Sequence, residues 1–358
     1  MDYRINAKDV VELCVDILIK HDVEEKDAIT TVQSLIDADL MGINSHGIIR
    51  LPLYLRNLKD KNINKAPSIQ VISKSKNTAV IDGGNGLGQV VSQQAIDMII
   101  EETKEVDIFA ISVRNSNHFG TARYWAEQLQ KHNLIGIATS NVPPIMPPTG
   151  GAEAKVGNNP MSVAIPSGNE KPIILDMATS NVPFGRILDF QSKGMKIPEG
   201  WAVNAAGEST TDPDEVVKGG YLFPVGGPKG YGLSVIIEAL CSLLSNGAIG
   251  SDIQIKHNTP INVSHFFLGI RVDSFIDINL FKNNVDHYIQ FIKNTKPMEG
   301  VSEIYLPGEI ELGKVYANKE KGLLIPDSIL KEIISLAEEV EVEEEFLLPI
   351  HQLMKKSV

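Results

Sequence analysis

The residues best suited to chemistry begin in residues 42–55, GINSHGIIRLPLYL, where His46 and Arg50 stand four apart and Ser45 just precedes them. In a helix, positions i and i+4 share one face about one turn apart. Asn44 or Ser45 can cap such a helix, and Gly42 can end the one before it. The set offers an imidazole that exchanges protons near neutrality and a permanent cation that forks onto a carboxylate. A helix N-terminus adds a preference for anions. This chemistry suits a small acid whose neighbouring carbon is oxidised or reduced. Taken alone, a His/Arg pair more often marks the solvated edge of an ordinary helix.

A second stretch, residues 113–120 (VRNSNHFG), follows an apolar strand pattern and sets His118 among Asn115, Asn117 and Gly120. Small polar residues at a strand end suit a concave site, although an idle loop histidine fits them too. Asp176, Met177, Ala178 and Thr179 close another strand pattern. Residues 227–232, GPKGYG, place Lys229 in loose backbone at a helix start. That is a reasonable phosphate cradle, or equally a glycine turn with a surface lysine.

Several familiar sites are missing. Residues 78–89, TAVIDGGNGLGQ, resemble a dinucleotide fingerprint, but three residues after Gly86 stands Gln89, where that fingerprint needs its third glycine. A tight strand-to-helix turn explains these glycines better. No metal is implied, since there is no H-E-x-x-H or C-x-x-C. A Walker loop and a G-x-S-x-G elbow are absent as well.

The elements that position these groups follow from length and period. At 358 residues the chain exceeds what one core usually serves, so two domains are expected. Hydrophobic residues make up 43% and charged residues 22%, as in soluble globular proteins. The net charge of −12 argues against nucleic acid or an anionic membrane as partner. A single local arginine can still hold a small anion. Cys14 and Cys241 lie in apolar helical patterns, so buried thiols and a cytoplasmic, reducing location are expected. The N-terminal residues lack the apolar core of a signal peptide. The apolar run at 231–250 contains Glu238 and small polar residues, and reads as a buried helix and not a membrane span.

Helical periods occupy 6–40 as two helices, with a polar joint at 21–26. A third helix runs from the opening cluster to about 61–65. Strand patterns follow at 69–73, 78–81, 108–113, 134–139, 161–165, 172–176 and 262–270. Helices are expected at 90–103, 121–132, 182–190, 233–244, 281–292 and 327–336. Residues 142–160 are too rich in Pro and Gly for regular structure, which points to a working loop. Residues 192–211 read as a polar loop carrying Trp201, and the acidic run at 338–346 as solvated surface. The fold class is therefore α/β, with a sheet domain inserted in a helical one. The boundaries are 1–76 with 320–358 for the helical domain and 77–319 for the sheet domain.

In this order, SHGIIRLPLY, VRNSNHFG, PPTGGAEAKVGNNP, LDMATS, KIPEGWAVNAAGESTTDP and GGPKGYGLS resemble the malate/L-lactate dehydrogenase family that is distinct from the Rossmann-fold lactate and malate dehydrogenases. The family includes ureidoglycolate, sulfolactate and diketogulonate oxidoreductases and some cyclic-imine reductases. The resemblance covers roughly residues 5–325. It implies a homodimer, a non-Rossmann NAD(P)-binding mixed-sheet domain, and NAD or NADP as cofactor. The reaction implied is hydride transfer between the nicotinamide and C2 of a small 2-hydroxy/2-oxo acid. Ureidoglycolate oxidation, cyclic-imine carboxylate reduction and a catalytically idle nucleotide-binding relative are the alternatives. The resemblance places the substrate carboxylate near Ser45, His46 and Arg50, and His118 at the proton-acceptor position, with His46 second choice for that role. Asp176, Met177, Ala178 and Lys229 match cofactor contacts. Asn141 matches a substrate contact. Val142 stands where the family often has a hydroxyl residue, and Arg186 where Lys is common.

Overall fold

Alternating apolar residues along 79–82 and 108–113 require a sheet with one face covered. A computed structural model, which describes residues 2–254 and 256–356, builds it. The chain begins with β1 (Asp2–Ile5), α1 (Ala7–Lys20) and α2 (Glu25–Leu40). Two 3₁₀ turns (Asn44–His46 and Ile48–Arg50) lead into α3 (Leu51–Lys59). Then come β2 (Gln70–Lys74), β3 (Thr78–Asp82), α4 (Gly88–Glu102), β4 (Ile108–Ser116), α5 (Ala122–Gln130) and β5 (Leu134–Ser140). After a long loop the chain forms β6 (Met161–Ile165), β7 (Ile173–Met177) and α6 (Phe184–Ser192). Three two-residue strands, β8 (Ala202–Val203), β9 (Ser209–Thr210) and β10 (Tyr221–Leu222), surround α7 (Pro213–Val217). Next are α8 (Pro228–Glu238), continued by a π turn (Ala239–Leu243), then β11 (Val263–Arg271) and α9 (Ile278–Lys293). The chain closes with α10 (Glu309–Lys321), β12 (Leu323–Pro326), α11 (Asp327–Glu339) and α12 (Glu344–Lys356).

Seven strands form one mixed sheet in the order β2-β3-β4-β11-β5-β6-β7. Only β3 and β4 run parallel; the other pairings are antiparallel. A doubly wound sheet would instead be mostly parallel. Phe109, Ile111 and Val113 of β4 point to one face, where they pack with Val91, Ala95 and Ile99 of α4 and Trp125 of α5. Ser112 points to the other face. Its Oγ donates to the carbonyls of Leu240 (3.0 Å) and Cys241 (2.9 Å). A π turn frees carbonyls that an α-helix would satisfy, and Ser112 supplies their donor.

A separate apolar core joins α1, α2, α3, α11 and α12, with Leu13, Ile17, Leu35, Leu51, Leu330 and Ile350 at its centre. β1 pairs antiparallel with β12 and ties the N-terminal residues to the 320s. Both cysteines are buried free thiols.

The structure departs from the sequence expectations in several places. Residues 42–55 are not one helix. Gly47 is extended at ψ −151, which interrupts the helical path. Neither Asn44 nor Ser45 caps a helix with its side chain. Gly42 does end α2: its N–H donates to Asp39 O, and the Ile43 N–H to Ala38 O, a Schellman closure. The helix at 233–244 is buried on only one face in the single chain, through Ser234, Ile237, Cys241 and Ser242. Leu233, Ile236, Leu243 and Leu244 are 40–63% exposed. The stretch at 192–211 contains β8 and β9, which pair with each other, and β8 also pairs with β10. The acidic run at 338–346 exposes its glutamates, but Val342 is buried. It leads into α12, whose Leu347 and Ile350 enter the helical core. The glutamate run and the internal Pro349 hid α12 from a periodicity reading, and the four-residue strands β1 and β12 are too short to show a period.

Candidate active site

Asp39, near the end of α2, shapes the turn that carries the first cluster. Its Oδ2 accepts the Ile48 N–H at 2.7 Å. A Cβ on Gly47 would stand 1.9 Å from Asp39 Oδ1, so only glycine lets the turn lie on that carboxyl. Pro52 at the start of α3 needs no backbone partner there. The folded turn brings Arg50 back over Ser45: Arg50 Nε donates to the Ser45 carbonyl at 2.7 Å. Both terminal Nη groups remain for a carboxylate fork. Ser45 Oγ lies 3.0 Å from His46 Nδ1.

His118 sits just past the end of β4. Asn117 holds its loop by donating to the carbonyls of Asn85 (3.0 Å) and Gly86 (2.7 Å). A Cβ on Gly88 would lie 2.2 Å from Asn117 O and 2.4 Å from His118 O. The glycine-rich turn at 83–88 therefore carries the His118 loop at close range. On the far side, Trp125 Nε1 donates to Phe119 O at 2.8 Å. His265, fully buried, stacks on Phe119 with ring centroids 4.5 Å apart. It lies between Ser140 Oγ (3.0 Å) and Ser116 Oγ (2.9 Å).

The two histidines far apart in sequence meet here, with His46 and His118 ring centroids 5.5 Å apart. Tyr54 of α3 reaches the same point, its Oη 2.6 Å from His118 Nδ1. Gln89 Nε2 donates to that phenol at 2.9 Å. Burial, then the Arg50 charge, lowers His46 to about 4. Burial, then Arg50, His46 and His265, holds His118 well below the usual imidazole range. Burial raises the Tyr54 phenol to about 12, against the Gln89 hydrogen bond and Arg50. At neutral pH the cluster thus holds two neutral imidazoles, one phenol and one cation. It can bind a carboxylate and exchange a proton with a group beside it.

The residues matched to cofactor contacts form a second group. Asp176 and Met177 end β7, and Thr179 accepts the Val225 N–H at 2.9 Å. Ser180 bridges to Pro224. These contacts bring the 226–230 turn, and Lys229 with it, beside residues 176–180. Gly226 and Gly227 have φ of +60 and +62. Lys229 is exposed at the start of α8 and makes no ion pair among the described residues. Asp176 keeps solvent contact, yet crowding of its carboxyl raises it to about 6, opposed by the Arg123 charge and backbone N–H. Water reaching the residue offsets part of that rise. Arg123 belongs to the first turn of α5, five residues past His118, so the two groups adjoin.

Asn141 has a different employment. It is fully buried, and its Nδ2 donates to Ser242 Oγ (2.6 Å), Glu238 Oε1 (3.1 Å) and Ala248 O (3.3 Å). Its Oδ1 accepts the Ser264 N–H at 2.7 Å. Asn141 braces α8 and its π turn against the sheet. Arg186 pairs with Asp189 on the surface of α6. Among the described residues no cluster of His, Cys, Asp and Glu could hold a metal ion. Sequence reading missed Tyr54, Gln89 and Asp39. The one available signal was Tyr54 standing four residues after Arg50.

Residues 5–334 match the sequence profile of the Malate/L-lactate dehydrogenase family. The chain is 37% identical over 347 residues to the malate dehydrogenase of Pyrococcus abyssi, covering 95% of this chain and 96% of that one. It is 42% identical over 302 residues to the L-sulfolactate dehydrogenase of Methanocaldococcus jannaschii, covering 84% and 87%. Its fold superposes on the crystal structure of malate dehydrogenase from Entamoeba histolytica with a TM-score of 0.92 at 31% identity, covering 96% and 99%.

Proposed function

The chain belongs to the malate/L-lactate dehydrogenase family, and from that premise we propose that it moves a hydride between NAD or NADP and C2 of a small 2-hydroxy/2-oxo acid of the malate/lactate type. It is a dehydrogenase acting on hydroxy acids. The observation that carries the site assignment is the meeting of His118 and His46, 5.5 Å apart between ring centroids, beside Arg50. Arg50, its Nε anchored on Ser45, holds the substrate carboxylate through both Nη groups and so fixes which face of C2 is presented. Ser45 and His46 line the same acid. His118 takes the hydroxyl proton in oxidation and returns it in reduction.

The residues fit a nicotinamide dinucleotide. An exposed lysine without an ion pair adjoins backbone that two positive-φ glycines open toward solvent, a donor set suited to a pyrophosphate. Lys229 with Asp176, Met177 and Ala178 would hold it, and the bound nicotinamide supplies the hydride acceptor or donor. We read the two largest apolar cores as the centres of two domains, residues 1–76 with 320–358 and residues 77–319. The exposed apolar face of α8 and its π turn supports burial against a second copy, hence a homodimer. Two buried free thiols support a cytoplasmic location.

The test is a panel of 2-oxo acids, oxaloacetate, sulfopyruvate and pyruvate among them, with NADH and NADPH, read by loss of nicotinamide absorbance. Turnover of at least one acid is expected. Cofactor binding without turnover across a broad panel would make the chain an idle nucleotide-binding relative.

A further inference from the structure

Gln89, Tyr54 and His118 form a file in which each proton has a direction. Gln89 is fully buried and Tyr54 is 2% exposed. Gln89 Nε2 donates to Tyr54 Oη, so the phenol proton is left to point at His118 Nδ1, 2.6 Å away. The Gly120 N–H addresses the same nitrogen at 3.4 Å. With two donors on Nδ1, the neutral ring keeps its own proton on Nε2. In that state Nε2–H can donate to the oxygen of a 2-oxo acid, but it has no lone pair for a hydroxyl proton. To act as a base at Nε2, the ring must carry its proton on Nδ1 and donate to Tyr54. The phenol proton then needs an acceptor of its own.

The acceptor is already in place, because Gln89 Oε1 is buried and has no hydrogen-bond partner. Turning the amide over exchanges nitrogen for oxygen at the same position without changing its shape. Each setting leaves one end of the amide without its full set of partners, so neither is strongly preferred. We propose that Gln89 and Tyr54 are positioning residues, a reversible hydrogen-bond chain that sets the tautomer of His118: one direction gives the Nδ1–H ring that exchanges the proton, the other the Nε2–H ring that holds a 2-oxo acid without proton transfer.

The proposal rests on His118 being the proton acceptor, and its proton count closes. In oxidation the substrate O–H proton moves to Nε2 as the hydride leaves C2 for the cofactor. The ring becomes an imidazolium whose Nδ1–H donates to Tyr54, while the phenol O–H donates to Gln89 Oε1. In reduction the same imidazolium gives its Nε2 proton to the C2 oxygen as C2 receives hydride. The ring is left with its proton on Nδ1. Tyr54 stays a phenol throughout, and the chain carries no proton away. Arg50, His46 and His265 are the other charged or titratable groups facing His118, and substitutions at position 89 leave all three in place.

The experiment is ¹⁵N NMR of histidine-labelled full-length protein, with His118 assigned by its loss in His118→Asn, beside pH profiles of the oxidation rate. Gln89→Leu removes the acceptor. Tyr54 can then only donate to His118, so the ring reads as the Nε2–H tautomer and kcat for oxidation falls about 10-fold. Gln89→Glu, once ionised, can only accept, so above that ionisation the ring reads as the Nδ1–H tautomer, oxidation is retained and its pH limb moves upward. Thermal melts confirm that both variants fold, and Tyr54→Phe gives a second route to breaking the chain if either does not. The same His118 tautomer and the same pH limb in both Gln89 variants would overturn the proposal. Retained activity in His118→Asn would instead overturn the acid/base assignment, while leaving the tautomer response at position 89 intact.

Discussion

The two halves of the site are built in opposite ways. Around His118, the side chains are tied to one another within the chain: Tyr54, Gln89, Asn117, Ser45 and Asp39 hold the imidazoles, Arg50 and their loops from five separate segments. Around Lys229, the backbone is opened by glycines and the lysine is exposed. The first half is organised before any substrate arrives, as proton transfer and carboxylate orientation require. Under the proposed assignment, the second presents donors that a bound anion would partner. The comparison predicts that changes in the first half alter turnover and acid recognition, and that changes in the second alter cofactor affinity.

The largest effect should come from His118→Asn, with kcat lower by roughly 10²-fold or more and NAD(P)H affinity close to unchanged in a fluorescence titration. A parallel loss of cofactor affinity would show that the two halves do not act separately. Arg50→Lys exchanges a planar fork for a point charge, a loss of about 1.5–3 kcal/mol, or roughly 10- to 100-fold in kcat/KM for the acid. Near-normal kcat/KM in that variant would remove Arg50 from the carboxylate site. Lys229→Ala should weaken cofactor binding about 5- to 10-fold and leave kcat nearly alone. The deficit should shrink as salt rises, because an exposed charge is screened. A lower kcat with unchanged cofactor affinity would break the comparison from the other side.

The smallest effect concerns stability against pH. Burial, opposed by the Ile48 N–H, raises Asp39 to about 7, against an ordinary value of about 3.9 when unfolded. The folded chain thus holds a proton there that the unfolded chain has lost. This contribution is fully present below about pH 3.9 and is lost as pH rises through 7. His46, lowered to about 4, acts in the opposite sense. Its contribution is present above about 6.5 and is lost as pH falls toward 4. Asp39→Asn keeps an oxygen for the Ile48 N–H and removes one of the two opposing slopes. Its Tm relative to wild type should therefore climb by a few degrees between pH 4 and 7. A constant offset across that range would show that Asp39 does not titrate with folding.

Much of this architecture was legible in the sequence. Alternating apolar residues located β3 through β7 to within a few residues, and Pro and Gly marked the loop after β5. The same reading placed His118 at a strand end. Other features needed three dimensions. The helix expected to start at Asn44 or Ser45 gives way to two 3₁₀ turns because a carboxyl on α2 captures the Ile48 N–H, a contact that local propensity does not encode. The helix at 233–244 looked buried because its residues are apolar, yet much of its apolar surface is exposed in the single chain. Gln89 is the most instructive case. It was the residue that spoiled a dinucleotide fingerprint, and it proves to be the hydrogen-bond partner of Tyr54. A failed motif match says what a residue is not; its role came from a tyrosine 35 positions away.

The central claim is that His118 exchanges the proton while His46 and Arg50 hold the acid, and the pH dependence of kcat in His118→Asn and His46→Asn tests it most directly. The account predicts that His118→Asn loses the ionisation limb of the oxidation reaction. His46→Asn should keep that limb and raise KM for the acid at least as much as it lowers kcat. If His46→Asn abolishes the limb while His118→Asn retains it, the two roles are exchanged and the account is contradicted.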